Sequence, residues 1–428
     1  MDRLDIDGGR PLRGHVLISG AKNAALPAMA AALLTTERCR LHRVPHVRDV
    51  GTMRQLLATL GVDASPLAGD ALTLHVRDET NVAADYQMVR RMRASICVLG
   101  PLLARRRRAR VALPGGCQIG HRPVDVHLRA LAELGADIRL ERGDIVAEAS
   151  HLVGRQLSLA GPLGSTVTGT CNVMAAATLA HGRSVLTDAA REPEVADFGR
   201  LLTAMGARID GLGTDVVTVE GVTELGGYDH TIIADRIEAA TLAAAAAIVP
   251  GSRLTLGPLA AGDVTAAHEA LTQLGHRSTL TADSWTIAHH PAAQACETRF
   301  ATAPHPGLPT DWQAQLTAVL SQTPGTHRVV DAVFPERFGS TGELVRMGAA
   351  IERTSDGVLV TGPAPLVGCD VLASDLRASA ALVLAGLAAD GRTRVRRIYH
   401  LDRGYEALET KLAAVGAAIT RVRDEHAF

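Results

Sequence analysis

Aromatic residues are scarce in this chain: five Phe, four Tyr and two Trp amount to 3% of its 428 residues. Cores built without them must be filled by Leu, Val, Ile and abundant Ala, since hydrophobic residues still make up 47%. No charge sign prevails, with 44 Lys and Arg against 45 Asp and Glu, which excludes a global attraction to nucleic acid or an anionic membrane. The six cysteines, Cys39, Cys97, Cys117, Cys171, Cys296 and Cys369, include no CxxC pair, so neither a structural zinc site nor a thioredoxin-like motif is indicated. Long apolar runs are missing too. The most apolar stretch, residues 239–250, is Ala-rich and short of a membrane span. The opening MDRLDIDGGRPLRGHV has no basic segment leading into an apolar one. No secretory signal is therefore expected, and a cytosolic protein with reduced thiols is. There is no GxGxxG after the first strand, no Walker loop, no HExxH and no GxSxG, and no metal-ligand cluster.

What the chain does have is a repeat. At 44.8 kDa more than one domain is expected, and one unit recurs six times: a helix-like apolar segment, a Gly, a short hydrophobic run, a polar turn and an alternating run. The junction glycines are Gly61, Gly135, Gly206, Gly275, Gly348 and Gly416, about 70 residues apart. Leu128, Leu131 and Leu134 give the helix one buried stripe. The Gly that follows can take the left-handed conformation that ends it. Gly-Asp, Gly-Thr-Asp and Ser-Asp-Gly turns then return the strand as a hairpin. Between these units lie Ala-rich segments, beginning at Ala24, Asn172, Ile237 and Ala378, whose small side chains suit buried, closely packed helices. Two groups of three repeats make two similar halves, and a cleft between two such domains is a common place for substrate.

Several positions can carry chemistry. In ISGAKNAALP, Lys22 follows a β-like run and Asn23 opens an Ala-rich helix, a place that suits a phosphate or carboxylate and equally suits a surface lysine beside a helix cap. In ALPGGCQIGHRPVDVHL, Gly115, Gly116 and Gly120 surround Cys117, with His121 and Arg122 close enough in sequence to lower its pKa. In TAPHPGLPTDWQAQ an irregular approach delivers Asp311 to the start of a helix, either as an N-cap or as an acceptor for a substrate proton. SDLRASA and LDRGYE set Arg377 and Arg403 just before apolar helices, where a guanidinium can grip a carboxylate with two hydrogen bonds. PLGSTVTGT, residues 162–170, is either a phosphate contact or a polar loop. The basic ARRRRAR, residues 104–110, is isolated in a neutral protein and reads as a solvated face.

Together these segments resemble the enolpyruvyl transferase family, specifically its UDP-N-acetylglucosamine 1-carboxyvinyltransferases. SGAKNAALP, MRAS, LPGGCxIGxRPVDxH, AAREPEVAD, ADRIE, TAPHPxxPTDxQAQ, VFxxRF, SDLRASA and IYHLDRGYE occur in family order from end to end. The resemblance implies a two-domain inside-out α/β barrel of six βαβαββ units. Residues 22–234 would form one domain carrying the Cys117 loop, and residues 1–21 with 235–428 the other, with the substrate cleft between them. The loop would come down as a lid when the acceptor binds.

The resemblance also implies roles. Lys22, Arg122 and Arg403 would grip phosphoenolpyruvate, with Arg93 near its phosphate. Asn23 and Asp311 would hold the attacking sugar hydroxyl. Arg122, Pro123, Val124, Asp125 and Val126 would frame the uracil, and Thr166, Val167, Thr310, Val333 and Arg337 would touch or support nucleotide and sugar. Asp375 and Arg377 would lie near the enolpyruvyl portion. Cys117 would be the loop thiol that adds to phosphoenolpyruvate, serves as an acid or in product release, and is alkylated by fosfomycin in sensitive members. Asp311 is the expected base and Arg403 part of the catalytic set. Cys117 is the first choice for delivering the proton, and Lys22 its competitor.

Phosphoenolpyruvate and a uridine nucleotide are the implied substrates; no cofactor, metal, nucleic acid or membrane partner is, and the sequence does not define an oligomeric state. One departure bears on the acceptor. Where the family commonly has a Lys before its Ser-Val-Gly-Ala-Thr, this chain has Gly164 and then STVTGT. Losing a cation beside a diphosphate weakens UDP-sugar binding. Three readings therefore stand: transfer to the 3-hydroxyl of the sugar of UDP-N-acetylglucosamine; transfer to the 3'-hydroxyl of uridine monophosphate in nucleoside antibiotic synthesis; and a non-catalytic, nucleotide-binding regulator.

Overall fold

The computed structural model of the chain describes residues 2–113, 124–162, 164–290 and 295–423. Among these residues the strands form six four-stranded sheets and one two-stranded ribbon. All six sheets follow one plan, illustrated by Gln156–Ser158, Arg183–Thr187, Val216–Glu220 and Arg208–Asp210. The first pair is parallel and the next two pairs are antiparallel. Local chemistry explains why the plan repeats. The junction glycines 61, 135, 206, 275, 348 and 416 all have positive φ, from +82° to +111°. Each ends a helix in a conformation that a residue with a Cβ takes only at a cost. The helices before them are amphipathic: Arg48–Thr59 buries Val50, Met53, Leu56 and Leu57 along one face.

Among the described residues the last repeat has only one strand after its glycine, Ala418–Arg423. Its missing neighbour is the chain start, Asp2–Asp7, which pairs antiparallel with that strand and with Arg392–Arg396. The sixth sheet is thus closed by residues from opposite ends of the sequence.

The described residues divide into two compact units: residues 2–19 with 234–423, and residues 20–113 with 124–233. Each contains three of the six sheets and three helices buried along most of their length. In the first unit these are Arg236–Ile248, Gln313–Leu320 and Leu376–Ala388. In the second they are Lys22–Ala31, Leu99–Arg106 and Val167–Ala177. Helices inside and sheets outside is the inverse of the usual barrel. It works here because the inner helices carry small side chains. A Cβ on Gly100 would lie 2.2 Å from the carbonyl oxygen of Asn172, so the helix Leu99–Arg106 approaches Val167–Ala177 to backbone contact.

The arginine run 104–110 forms no bare basic patch. Arg105 pairs with Glu79, Arg108 with Glu148 and Arg110 with Asp144. No helix among the described residues is long and apolar enough to cross a membrane.

Candidate functional site

The first unit places a carboxylate between two guanidinium groups. The loop 302–309 turns into the short helix Thr310–Trp312, anchored by the buried Trp312, whose indole N–H donates to the Ala240 carbonyl at 2.9 Å. Asp311 does not cap the following helix, which has no side-chain cap. Instead its Oδ1 accepts from Arg337 Nη1 at 2.6 Å and its Oδ2 from Arg377 Nη2 at 2.7 Å. The two arginine side chains are only 7% and 3% exposed, whereas Asp311 retains 26%, so the carboxylate has an open side and its cations do not. Burial alone would raise the Asp311 pKa, but the Arg377 and Arg337 guanidiniums outweigh it and hold the carboxyl well below the ordinary range. Two cations on one anion leave a positive charge to spare, which suits a site for an anionic substrate.

Each member of this set is itself held. Arg377 is the second residue of the helix Leu376–Ala388, whose N-cap Asp375 accepts from the backbone N–H groups of Arg377 and Ala378 at 2.9 and 3.1 Å. Thr310 Oγ1 accepts from Arg337 at 3.2 Å and donates to Asp331 at 2.6 Å. Asp331 also accepts from Thr302 Oγ1 and from the N–H groups of Val333 and Phe334, which ties the Val333 turn to the Asp311 loop. Arg403, half-buried, ends the short helix Leu401–Arg403.

The second unit holds the rest of the described candidates. Lys22 is the first residue of the helix Lys22–Ala31, one position earlier than Asn23, and its Nζ pairs with Asp49 Oδ2 at 3.2 Å. Asn23 beside it is half-buried. Arg93 opens the short helix Arg93–Val98 and lies within electrostatic reach of His127. Burial, with Arg93 second, lowers the His127 pKa to about 3, so this ring is neutral. Its neighbours set its tautomer. Asn172 Oδ1 accepts from Gly100 N–H, so its amide nitrogen is the group that donates to His127 Nδ1 at 3.0 Å. The ring proton therefore sits on Nε2, facing Thr168.

Asp125, exposed, and Val126, buried, begin the helix Asp125–Glu133, with Val124 as its N-cap. Thr166 caps the helix Val167–Ala177 by accepting from Gly169 N–H at 3.2 Å. Gly164 sits in the ribbon of Ala160–Gly161 with Gly164–Ser165 at φ +90°, a conformation that a lysine would take only under strain. Cys117, Arg122 and Pro123 lie outside the described residues.

The structure thus brings Thr310, Asp311, Arg337, Asp375 and Arg377 together, with Val333 tied in through Asp331. It adds Asp49 and Asp331, which no motif reading singled out; both are acidic residues on other elements whose partners only packing reveals. Among the described residues no group of three or more His, Cys, Asp or Glu is placed to hold a metal ion.

Comparison with known proteins finds relatives along nearly the whole chain. The family model of EPSP synthase (3-phosphoshikimate 1-carboxyvinyltransferase) matches residues 6–412. The UDP-N-acetylglucosamine 1-carboxyvinyltransferase of Methylacidiphilum infernorum is 47% identical over 423 residues, 99% of each chain. That of Anaeromyxobacter dehalogenans is 49% identical over 427 residues, 99% of this chain and 100% of its own. Among solved structures, the enolpyruvyl transferase NikO from Streptomyces tendae superposes with a TM-score of 0.86 at 26% identity, covering 98% of both chains. An EPSP synthase from Acinetobacter baumannii, at 17% identity and a TM-score of 0.75 over 99% of this chain and all of its own, shares the fold.

Proposed function

The chain belongs to the EPSP synthase (3-phosphoshikimate 1-carboxyvinyltransferase) family, and from that premise we propose that it transfers the enolpyruvyl group of phosphoenolpyruvate to the 3-hydroxyl of the sugar of UDP-N-acetylglucosamine, releasing phosphate. The observation that carries the acceptor is the near-half identity, along the whole length, to enzymes named for that reaction. The product would serve peptidoglycan synthesis. The five described cysteines are free thiols, which supports a reducing, cytoplasmic setting.

The chemistry assigned to the site is addition followed by elimination. A proton is delivered to C3 of phosphoenolpyruvate, C2 becomes electrophilic, and the acceptor oxygen bonds to C2 as its own proton passes to Asp311. The group that delivered the proton takes one back from C3, the bond between C2 and the bridging phosphate oxygen breaks, the double bond is restored and phosphate leaves with that oxygen. Lys22, Arg122 and Arg403 would hold the phosphoenolpyruvate anion, with Arg93 toward its phosphate, and Cys117 or Lys22 would deliver the proton. At rest Asp311 is a weak base, because its two guanidinium partners stabilise the carboxylate. An anionic substrate that shares those guanidiniums raises its basicity at the moment the hydroxyl needs a proton acceptor. Asn23 would orient that hydroxyl. Val124, Asp125 and Val126, with Arg122 and Pro123, would frame the uracil, and Thr166, Val167, Thr310 and Val333 would line the nucleotide and sugar.

The positive φ at Gly164 supports a second acceptor, uridine monophosphate, because the diphosphate-side cation is replaced by a residue whose backbone conformation disfavours any side chain. Phosphate release from phosphoenolpyruvate, measured with UDP-N-acetylglucosamine, with uridine monophosphate and with neither, tests both readings. Release only with the UDP-sugar is the expected outcome. Preference for uridine monophosphate would replace the acceptor, and no release with either would leave a nucleotide-binding regulator.

A further inference from the structure

We propose that Tyr405 is a positioning residue for proton transfer at Asp311, acting through Arg377 and locked in place by Gln315. The proposal rests on the reading of Asp311 as the base. Tyr405 follows the turn that carries Arg403 and is 2% exposed. Its ring lies under the Arg377 guanidinium, 5.4 Å from ring centroid to Cζ, and Arg377 in turn holds Asp311 Oδ2. A guanidinium over an aromatic face is attracted by the ring quadrupole, and more strongly when both are out of water.

The other end of the tyrosine is fixed by a polar network with a definite direction. Thr241 Oγ1 spends its single proton on the Ile237 carbonyl at 2.7 Å, so the Tyr405 hydroxyl is the donor in their 2.9 Å contact. The hydroxyl oxygen then accepts from Gln315 Nε2 at 3.0 Å. The same amide nitrogen also faces Thr241 Oγ1 at 3.1 Å and the backbone carbonyl of Asp311 at 3.2 Å. These contacts link the Asp311 carboxylate, Arg377, the Tyr405 ring, the Tyr405 hydroxyl and the Gln315 amide, whose second proton is shared between Thr241 Oγ1 and the Asp311 carbonyl. Both ends of the proposed base are referenced to one buried glutamine, although the residues come from separate segments. Gln315 sits four residues after Asp311, one helical turn away, which makes the lock part of the same local segment as the residue it orients.

The charged groups facing Asp311 are Arg337 and Arg377; Asp331 is reached through Thr310, and Asp235 lies within electrostatic reach of Arg377. Releasing Arg377 removes stabilisation from the Asp311 carboxylate, so its protonation moves to higher pH.

Steady-state kinetics with phosphoenolpyruvate and the active acceptor test the proposal across a pH series. Tyr405→Phe keeps the ring and loses the hydroxyl; Tyr405→Leu loses both. For Tyr405→Leu the expected result is a fall in kcat of about ten- to a hundredfold, the scale of a small misplacement of a reacting group. KM should change little, and the acid limb of the kcat profile should move to higher pH. Tyr405→Phe should recover most of the lost turnover. Gln315→Met breaks the same set of contacts at another point and should shift the limb in the same direction, which keeps the test open if Tyr405→Leu does not fold. Wild-type kcat and pH profile in folded Tyr405→Leu, or in Gln315→Met, overturn the proposal. So does a loss confined to KM. Asp311→Asn is the separate control: if it retains turnover, the base assignment fails regardless of what the Tyr405 variants do.

Discussion

Asp311 has both carboxylate oxygens occupied by arginine, while the lysine at the start of the other unit's first helix is occupied by Asp49. Charges stored in pairs of this kind can be handed to a substrate without first being stripped of water, which is how a buried site keeps its cations ready. Cys117 is a different case, because its proposed role asks only for an acidic proton. Cys117→Ala should lower turnover or slow product release strongly. Cys117→Asp should keep activity, since a carboxyl can also carry the proton, yet resist alkylation by fosfomycin; mass spectrometry after exposure to the drug, run beside kinetics, checks both. Loss of activity in Cys117→Asp would count against an acid role. His127 offers a stability measurement. Above pH 6.5 it is neutral in folded and unfolded chains alike. Below that, the unfolded chain takes the proton first, because burial keeps the folded pKa at about 3. Stability should therefore fall as the pH drops from 6.5 toward 3, and His127→Gln should flatten that dependence in denaturant titrations. An unchanged slope would remove His127 as a source.

At the scale of elements, the inner helices depend on residues that leave room. Gly100 N–H donates to Asn172 Oδ1 at 2.9 Å while its missing side chain admits the Asn172 carbonyl. Gly100→Ala should therefore destabilise the unit by about 2 kcal/mol or more, as overpacking a tight core does. Urea unfolding would show this as a lower midpoint at unchanged slope. The neighbouring His127–Asn172 contact should loosen with it, so the acid dependence described for His127 should weaken in the same variant. A normal midpoint would mean that the two helices can move apart at little cost.

On the scale of the whole molecule, the closure of the sixth sheet ties the first residues to the last. Asp2–Asp7 is paired on both sides, so deleting residues 1–8 would strip hydrogen bonds from two strands at once and take the fully buried Leu4 and Ile6 out of the core. The expected outcome is faster proteolysis and hydrogen exchange in residues 392–423, with residues 20–113 and 124–233 much less affected, since they form the other compact unit. Uniform loss of protection along the chain would show instead that the units unfold together.

The sequence by itself determined the repeat, because its signals are short-range: an apolar stripe, a glycine at the helix end, a polar turn and a returning strand all lie within one local segment. All six junction glycines have the positive φ that this local logic requires. It also marked the Ala-rich segments as buried helices, since small side chains in long runs have few other uses in a soluble core. Asp311, Arg337 and Arg377 were legible only as separate motif residues. Their sharing of one carboxylate was not, because Asp311 meets partners 26 and 66 positions away and nothing in the spacing says which arginines will converge. The same holds for Asp49 beside Lys22 and for Tyr405 under Arg377. Only the tertiary structure decided these contacts, because packing the inner helices sets the angles at which their side chains emerge, and a charge–charge contact is decided by angstroms rather than by order along the chain.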